Sequence, residues 1–528
     1  MSIALRRKAD TTRSWPSWRR SFSTPPLWLV VPVGLVGLAT LLPLAFVLAQ
    51  AGQAGWSQSV GLLFRPYTGG LLLATLQLLS GVTAGSLLLG VGLAWLVERS
   101  DVPGARAWGI ALPLSLAVPS FVTSFTWVSL SARFEGMNSA IAILSLAEFP
   151  LIYLPVAAAL RGMDQSLDDV ACSLGHSPWR RFTGVTLPQL RPAISGAALL
   201  VMLHMLVEFG PLALLRVDTF TTAIYAAFEL EFNSASAAVL SAVLLVLCGL
   251  IVLAEMRLRG TLRFARIGSG ASRRPTPIRL GLWRFPAMAF LATVVALALG
   301  VPLVSLGYWM LVGSSTAFPV GRIAHALFGT LQLAGVGSLV TTAAGLALVF
   351  TAMRFRGAIS RLAERLPFVI HALPGVVVAL ALVFFTLSVV PALYQTMAVL
   401  VLAYALLSLP LAQSAIRAVL EQFPASIEDA ARSCGRGPWA VFVRVTLPNI
   451  ATGLGAALIL VFLSLLRELT ATLILSPTGT DTLSMEVWSH TSKMEYGAAA
   501  PYALLLVLLS GIPAYLFGRR LRRGGASR

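Results

Sequence analysis

Apolar residues run through this chain in long unbroken blocks, with no alternation of apolar and polar positions inside them. Leu27–Phe64, Pro66–Val97, Ala107–Ala132, Phe285–Gly321, Ile323–Met353, Leu366–Ile416, Val445–Leu466 and Tyr496–Gly518 contain no Asp, Glu, Lys or Arg. A helix crosses hydrocarbon with about 20 predominantly apolar residues, whereas a membrane barrel strand alternates, so these blocks predict helices. Splitting them at polar, Pro and Gly breaks predicts about twelve spans. They fall near 27–50, 70–97, 107–132, 138–160, 192–215, 236–256, 286–313, 323–352, 366–389, 394–416, 449–475 and 498–518. The fold class is all-α, a polytopic membrane protein.

Composition agrees: 57% of the 528 residues are hydrophobic and 11% charged, against roughly 25% charged in a soluble domain. Mean hydropathy is +0.83. A net charge of +18 would fit a nucleic-acid binder, but its distribution excludes that. Of the 39 basic residues, 33 fall in alternate inter-span segments on one side, including the eight arginines from Arg257 to Arg284. By the positive-inside rule both termini are cytoplasmic, and the charge orients the chain and attracts anionic lipid. Cys172, Cys248 and Cys434 match no metal-ligand spacing and read as structural thiols. The first apolar run exceeds the usual length of a cleaved leader, so a retained first helix is expected.

The chain repeats itself. Ala74-Thr-Leu-Gln-Leu78 returns as Gly329-Thr-Leu-Gln-Leu333, and Pro119 and Pro155 return as Pro374 and Pro410, all 255 residues on. Asp168-Asp-Val-Ala-Cys-Ser-Leu-Gly-His-Ser-Pro-Trp179 returns as Glu428-Asp-Ala-Ala-Arg-Ser-Cys-Gly-Arg-Gly-Pro-Trp439, and Val185-Thr-Leu-Pro188 as Val445-Thr-Leu-Pro448, 260 on. Both copies start on the same side, so two parallel six-helix repeats about an axis along the membrane normal are expected. The organisation is a basic tail (1–26), a first half (27–257, core about 70–257), an Arg-rich cytoplasmic linker (258–284), a second half (285–518, core about 325–518) and a basic tail (519–528).

The repeated cytoplasmic segment carries the mechanism. Ser166-Leu-Asp-Asp169 and Ser426-Ile-Glu-Asp429 have the form of capping-box starts. Asp168, Asp169, Glu428 and Asp429 also place negative charge at a helix N-terminus. Gly175 and Gly435 follow about two turns later, as a left-handed stop requires. Pro178 and Pro438 then suit the start of a second short helix, and Pro188 and Pro448 the start of a span.

With these residues the chain resembles the inner-membrane permeases of bacterial ABC importers. Their signature is E-A-A, three residues, G, nine residues, I-x-L-P. It reads here Asp169-Val170-Ala171, Gly175, Val185-Thr186-Leu187-Pro188, and again Asp429-Ala430-Ala431, Gly435, Val445-Thr446-Leu447-Pro448. Asp stands for Glu and Val for Ile in both copies. The resemblance implies the type I importer permease fold, as two fused permease domains. Ser166, Asp168, Asp169, Ala171 and Gly175, with Ser426, Glu428, Asp429, Ala431 and Gly435, then belong to coupling helices seated on a homodimeric ATPase. It further implies ATP and Mg on that ATPase, no cofactor on this chain, a periplasmic substrate-binding protein, and residence in the bacterial inner membrane. A P-loop needs Gly-x-x-x-x-Gly-Lys-Ser/Thr, and the only lysines are Lys8 and Lys493. An ion-coupled secondary transporter would also be polytopic, but would have no use for two docking helices. A membrane enzyme would cluster its histidines, and these five are scattered along the sequence.

Glu208 through Tyr225 and Arg467 through Leu483 resemble the segments after the fifth helix in ferric-iron permeases, which implies ferric iron as substrate. Related fused permeases import thiamine or phosphonates. Four charged residues fall well inside predicted spans: Glu148, Glu208, Arg467 and Glu468. Charge at such depth costs about 2.5–3.5 kcal/mol on insertion scales and usually faces a protein interior or wet cavity. Glu208 and Glu468 match under the 260-residue offset, so they are expected to face one path and to form a transient carboxylate pair for a hard cation, with no stable metal site. Arg467 paired with Glu208 across the halves is the structural alternative. The two longer periplasmic loops hold Asp218, Glu229, Glu231, Asp481, Glu486 and Glu495, and form the expected landing surface for the binding protein.

Overall fold

The computed structural model describes residues 25–53, 55–163, 166–261, 277–313, 315, 318–371 and 373–524. Residues 1–24 of the basic tail, most of the Arg-rich linker and the last four residues lie outside that set. No β-strand occurs among the described residues; a single bridge joins Ser100 to Ile278 and pins the linker's exit to the first half.

Ten helices among the described residues are long and apolar enough to cross a membrane. They begin at Leu27, Pro66, Met137, Phe182, Ser234, Gly281, Val320, Met397, Pro438 and Tyr496. Ala105–Ala117 and Ser120–Val128 are together long and apolar enough as well, but they meet at 86°, the geometry of one broken span or of a re-entrant loop. The expected continuous helix over 366–389 is not formed. Ala358–His371 is followed by Gly375–Val389, which at 15 residues is short for a crossing of its own.

Both breaks have one cause. Pro119 and Pro374 lack an N–H and crowd the preceding turn. Each is extended (ψ 144° and 143°) and opens a new helix at the next residue. The windows stay apolar across these prolines, so hydropathy alone joins the pieces. Span five ends at Val207, where 215 was expected, and span eleven at Leu465, where 475 was expected.

Lipid chains are as apolar as leucine, so helices associate here through close packing rather than water exclusion. Gly81, Gly85 and Gly90 set the Pro66–Arg99 helix against Met137–Gly162. A Cβ at Gly90 would lie 2.6 Å from Ile152, and one at Gly85 would run into Ser145. Gly345, the repeat of Gly90, holds Val320–Arg354 against Ala412 and Ile416 in the same way.

The halves exchange their first helices. Leu27–Gln53 packs on Ser234–Thr261 of its own half, then against Val320–Arg354, Ala358–His371 and Gly375–Val389 of the other. Val301–Val312 mirrors this, packing on Tyr496–Gly524 and on Ser120–Val128. A mixed core results, in which Val118, Phe121, Val122 and Phe125 of the first half are buried with Leu469, Leu483, Val487 and Tyr502 of the second.

Candidate functional site

Two constructions stand at opposite ends of spans five and eleven. At one end is the repeated motif. Ser166–Ser173 and Ala425–Ser433 are short helices, each closed by a glycine in the left-handed region: Gly175 at φ +75° and Gly435 at φ +77°. His176 N–H donates to the Ala171 carbonyl and Gly175 N–H to that of Cys172. Arg436 and Gly435 repeat the pair on Ala431 and Arg432. These are the two bonds of a glycine-stopped helix end.

Pro178–Arg181 and Pro438–Val441 follow, and each runs into a π-helical turn, Phe182–Thr186 and Phe442–Thr446, ahead of the span. Pro188 and Pro448 offer no N–H to the turn before them, and the wider turn accommodates that. The second short helix and the span are thus one continuous helix in each half, set off from the first short helix by the glycine stop.

The expected capping box at Ser426 is not made. The helix starts two residues earlier, at Ala425 after Pro424, so Ser426 lies inside it and no side chain caps it. Glu428 instead turns inward and is fully buried. Its carboxylate lies 3.1 Å from Arg354 Nε and accepts from the Thr446 hydroxyl at 3.1 Å. Arg354 also donates to the Phe423 carbonyl. Arg432 donates to Asp429 at 2.8 Å, and burial draws its pKa below the ordinary value against the opposite pull of Asp429 and Glu428. Arg354 counts towards the positive-inside pattern, yet it is buried and ties helix Ala425–Ser433 to the end of span eight. Arg99, its repeat, is buried too and touches Met163 Sδ at 3.6 Å. The side chains of Ser166, Asp168 and Asp169 lie outside the described set.

At the other end lie the membrane charges. Glu208 closes span five and Glu468 stands just past span eleven. Their backbone carbonyls are held alike, Glu208 by the Thr221 hydroxyl at 2.7 Å and Glu468 by that of Ser484 at 3.2 Å. Each carboxylate faces the first residue of a half-helix. Ser120 Oγ donates to Glu208 at 2.8 Å, and Gly375 abuts Glu468. Helix N-termini carry partial positive charge, which favours an anion there.

The surroundings of the two then diverge. His204, one turn before Glu208, places Nδ1 3.0 Å from Glu148 and Nε2 3.6 Å from Glu208. Ligand atoms of these three residues all lie within 4.8 Å of one another. Glu468 accepts the backbone N–H of Ala471. Arg467 crosses to the first half and donates to the Leu116 carbonyl at 2.8 Å, beside the break at Pro119. Among the described residues no carboxylate lies within ion-pair distance of Arg467, so the alternative of an Arg467–Glu208 pair gives way to this carbonyl contact, with Glu148 and Glu208 near enough to feel its charge. His204, Ser120, Thr221 and Ser484 were not singled out from sequence. The i, i+4 spacing of His204 and Glu208 was the available signal for one of them.

The model of the binding-protein-dependent transport system inner membrane component matches residues 86–257 and 343–524. The chain belongs to this family. Both copies of the glycine-stopped helix fall inside the matched ranges. The chain is 43% identical over 495 residues to the Fe(3+)-transport system permease protein FbpB 2 of Haemophilus influenzae, covering 93% of this chain and 98% of that one. It is 24% identical over 433 residues to the Ferric transport system permease protein FbpB of Actinobacillus pleuropneumoniae, covering 76% of this chain and 61% of that one. A relative named for 2-aminoethylphosphonate transport, PhnU of Salmonella typhi, is 29% identical over 255 residues, 42% of this chain and 87% of its own.

Proposed function

We propose that this permease is the translocation subunit of an ATP-binding-cassette importer that carries ferric iron into the cytoplasm. The observation that carries the substrate is 43% identity, over nearly the whole of both chains, to a relative named for Fe(3+) transport. Phosphonate transport draws only on a match to 42% of this chain.

In this reading a separate ATPase, a homodimer holding ATP and Mg, seats Ser166–Ser173 and Ala425–Ser433 in its grooves. Val170, Leu174 and Ile427 give those helices an exposed apolar face suited to such a seat. A periplasmic binding protein delivers the ion to the opposite side, and both termini are cytoplasmic in the bacterial inner membrane. Closure of the ATPase pair moves the coupling helices together. Spans five and eleven transmit that motion as rods. Phe182–Val207 has 26 residues, about 39 Å at 1.5 Å each, with Glu208 at its far end. The halves then alternate between inward-open and outward-open states.

Uptake of labelled ferric iron, thiamine and 2-aminoethylphosphonate by cells lacking the gene, with and without its return on a plasmid, tests the substrate. Restoration of iron uptake alone is expected. Restoration of either other solute without iron overturns the reading.

A further inference from the structure

The two halves repeat Glu208 as Glu468, but one substitution changes what the two carboxylates are free to do. The residue three past Glu208 is Pro211, and the residue three past Glu468 is Ala471. Ala471 donates its N–H to Glu468 Oε1 at 3.1 Å, so that carboxylate caps the short helix Thr470–Leu475. Pro211 has no N–H to give. The Glu208 carboxylate is released from capping and turns to Ser120 and His204.

Around it the first half adds what the second lacks. Glu148 corresponds to Ala403, and His204 to Ser464. Glu148 is 3% exposed, deep in a span whose other buried residues are almost all apolar. A buried membrane carboxylate is costly enough to mark a functional position rather than a packing choice. Its partner His204 has a side chain about half exposed, which leaves one side of the cluster open.

We propose that Glu148, His204 and Glu208 form a single metal-binding station for the transported cation, confined to the first half, while Glu468 is a helix cap. This rests on the ferric-iron reading for the identity of the ion, and replaces a symmetric Glu208–Glu468 pair. Two carboxylate oxygens and an imidazole nitrogen suit a trivalent first-row ion. A first-row ion sits roughly 2.0–2.2 Å from such ligands, so opposite ligands are about 4 Å apart, and the three groups need only a small closure from their present spacing. Three protein ligands leave other positions to water or an outgoing ligand, and the positive charge of Arg467 nearby weakens the hold. Both features favour passage over storage.

The test uses the full complex, permease with its ATPase, in lipid nanodiscs. Gallium(III) citrate, a redox-inert trivalent probe, is equilibrated by dialysis and metal per chain is counted. One ion per chain is expected, with at least tenfold weaker binding in Glu148→Gln and in His204→Ala, and unchanged binding in Glu468→Gln. Loss in Glu468→Gln equal to that in His204→Ala overturns the proposal, as does a wild-type complex that retains no gallium. Pulsed electron paramagnetic resonance of the wild-type complex loaded from ferric citrate needs no variant to fold. Coupling to an imidazole nitrogen supports the station, and its absence from bound ferric ion overturns it. Cell uptake separates the two readings. Iron uptake unchanged in Glu148→Gln and His204→Ala at matched abundance overturns the station and leaves ferric transport standing. Gallium held by the three residues in a protein that restores no iron uptake overturns ferric transport and leaves a metal station standing.

Discussion

Arg354 and Glu428, 74 residues apart, meet at 3.1 Å where span eight ends and helix Ala425–Ser433 begins, with Glu428 fully buried and Arg354 nearly so. Thr446, in the π-helical turn that leads to span eleven, donates to the same carboxylate. One acid therefore joins three elements that must move as a unit if ATPase closure is to reach the membrane.

Removing one partner of a buried ion pair strands the other and costs about 3–5 kcal/mol, whereas replacing both with apolar groups is often neutral. Glu428→Ala is expected to lower the Tm of the detergent-solubilised protein and to make the 423–446 segment sensitive to protease. Arg354→Met with Glu428→Leu is expected to recover most of the Tm. Equal loss in single and double variants would show that the pair contributes something other than mutual compensation.

Gly435 separates backbone conformation from packing. Its φ is +77°, and a Cβ there would meet nothing within 4 Å. Any penalty is conformational, about 1–2 kcal/mol for a residue with a side chain and less for Asn. Gly435→Leu is expected to reduce co-purification of the ATPase while the membrane spans stay folded, with Gly435→Asn intermediate. A pull-down with tagged ATPase reads the order directly.

At Gly210 the constraint is space. A Cβ there would fall 2.8 Å from Leu469 Cδ2 in the other half and 3.2 Å from Phe121 Cβ. Gly210→Val is expected to push the halves apart beside Glu208 and to lower uptake severalfold. Leu469→Ala in the same chain makes room and should restore part of it. Overpacking of this kind costs about 1–3 kcal/mol, so Tm should fall with uptake and recover with it.

How much of this was legible follows from what each feature asks of the sequence. The repeat, the family and the glycine stops need only spacing and residue type, so Gly175 and Gly435 could be placed with their conformations. The broken spans were hidden because Pro119 and Pro374 sit in windows that stay apolar throughout. Arg354 was hidden because burial cannot be read from a charge at the edge of a span. Glu148 and His204 are 56 residues apart on different helices, and only the packing of those helices brings them together. The different duties of Glu208 and Glu468 did lie in the sequence, in Pro211 against Ala471. They become visible only once Glu468 is seen to cap.

The side opposite helices Ser166–Ser173 and Ala425–Ser433 offers a pH test. A hydrogen bond from His490, whose Nδ1 is 2.7 Å from Glu495, holds the Glu495 carboxyl below the usual carboxylate range. A depressed folded-state pKa adds stability that is present above the unfolded value of about 4.3 and lost as pH falls through the lower folded value. The group is exposed, so the effect is small. Wild type should exceed Glu495→Gln in Tm at about pH 6, and the gap should narrow as pH falls below the unfolded value of about 4.3. A gap that widens on acidification would reverse the assigned sign.

The same face makes a prediction about delivery. Phe220–Glu229 begins with a capping box in which Thr219 and Thr222 satisfy each other, and Leu483–Ser492 begins under a Thr482 cap. Both are therefore ordered surfaces rather than loose loops, and each is anchored by a hydroxyl to the carbonyl of Glu208 or Glu468. Leu230 and Phe232 stand exposed beside Glu229 and Glu231, an apolar contact ringed by acid. A partner landing there would press on the two helices that hold the ends of spans five and eleven, which links its arrival mechanically to the charged cluster. Photo-crosslinkers placed at Leu230, Phe232, Thr478 and Ser489 are expected to capture the binding protein. Those at Leu63 and Leu393, on other loops of the same face, are expected to capture much less. Addition of basic residues on the binding protein opposite Glu229 and Glu231 should raise the association rate, and added salt should remove that gain. Crosslinks confined to the Leu63 and Leu393 loops would move the landing surface away from these helices and break the proposed mechanical link.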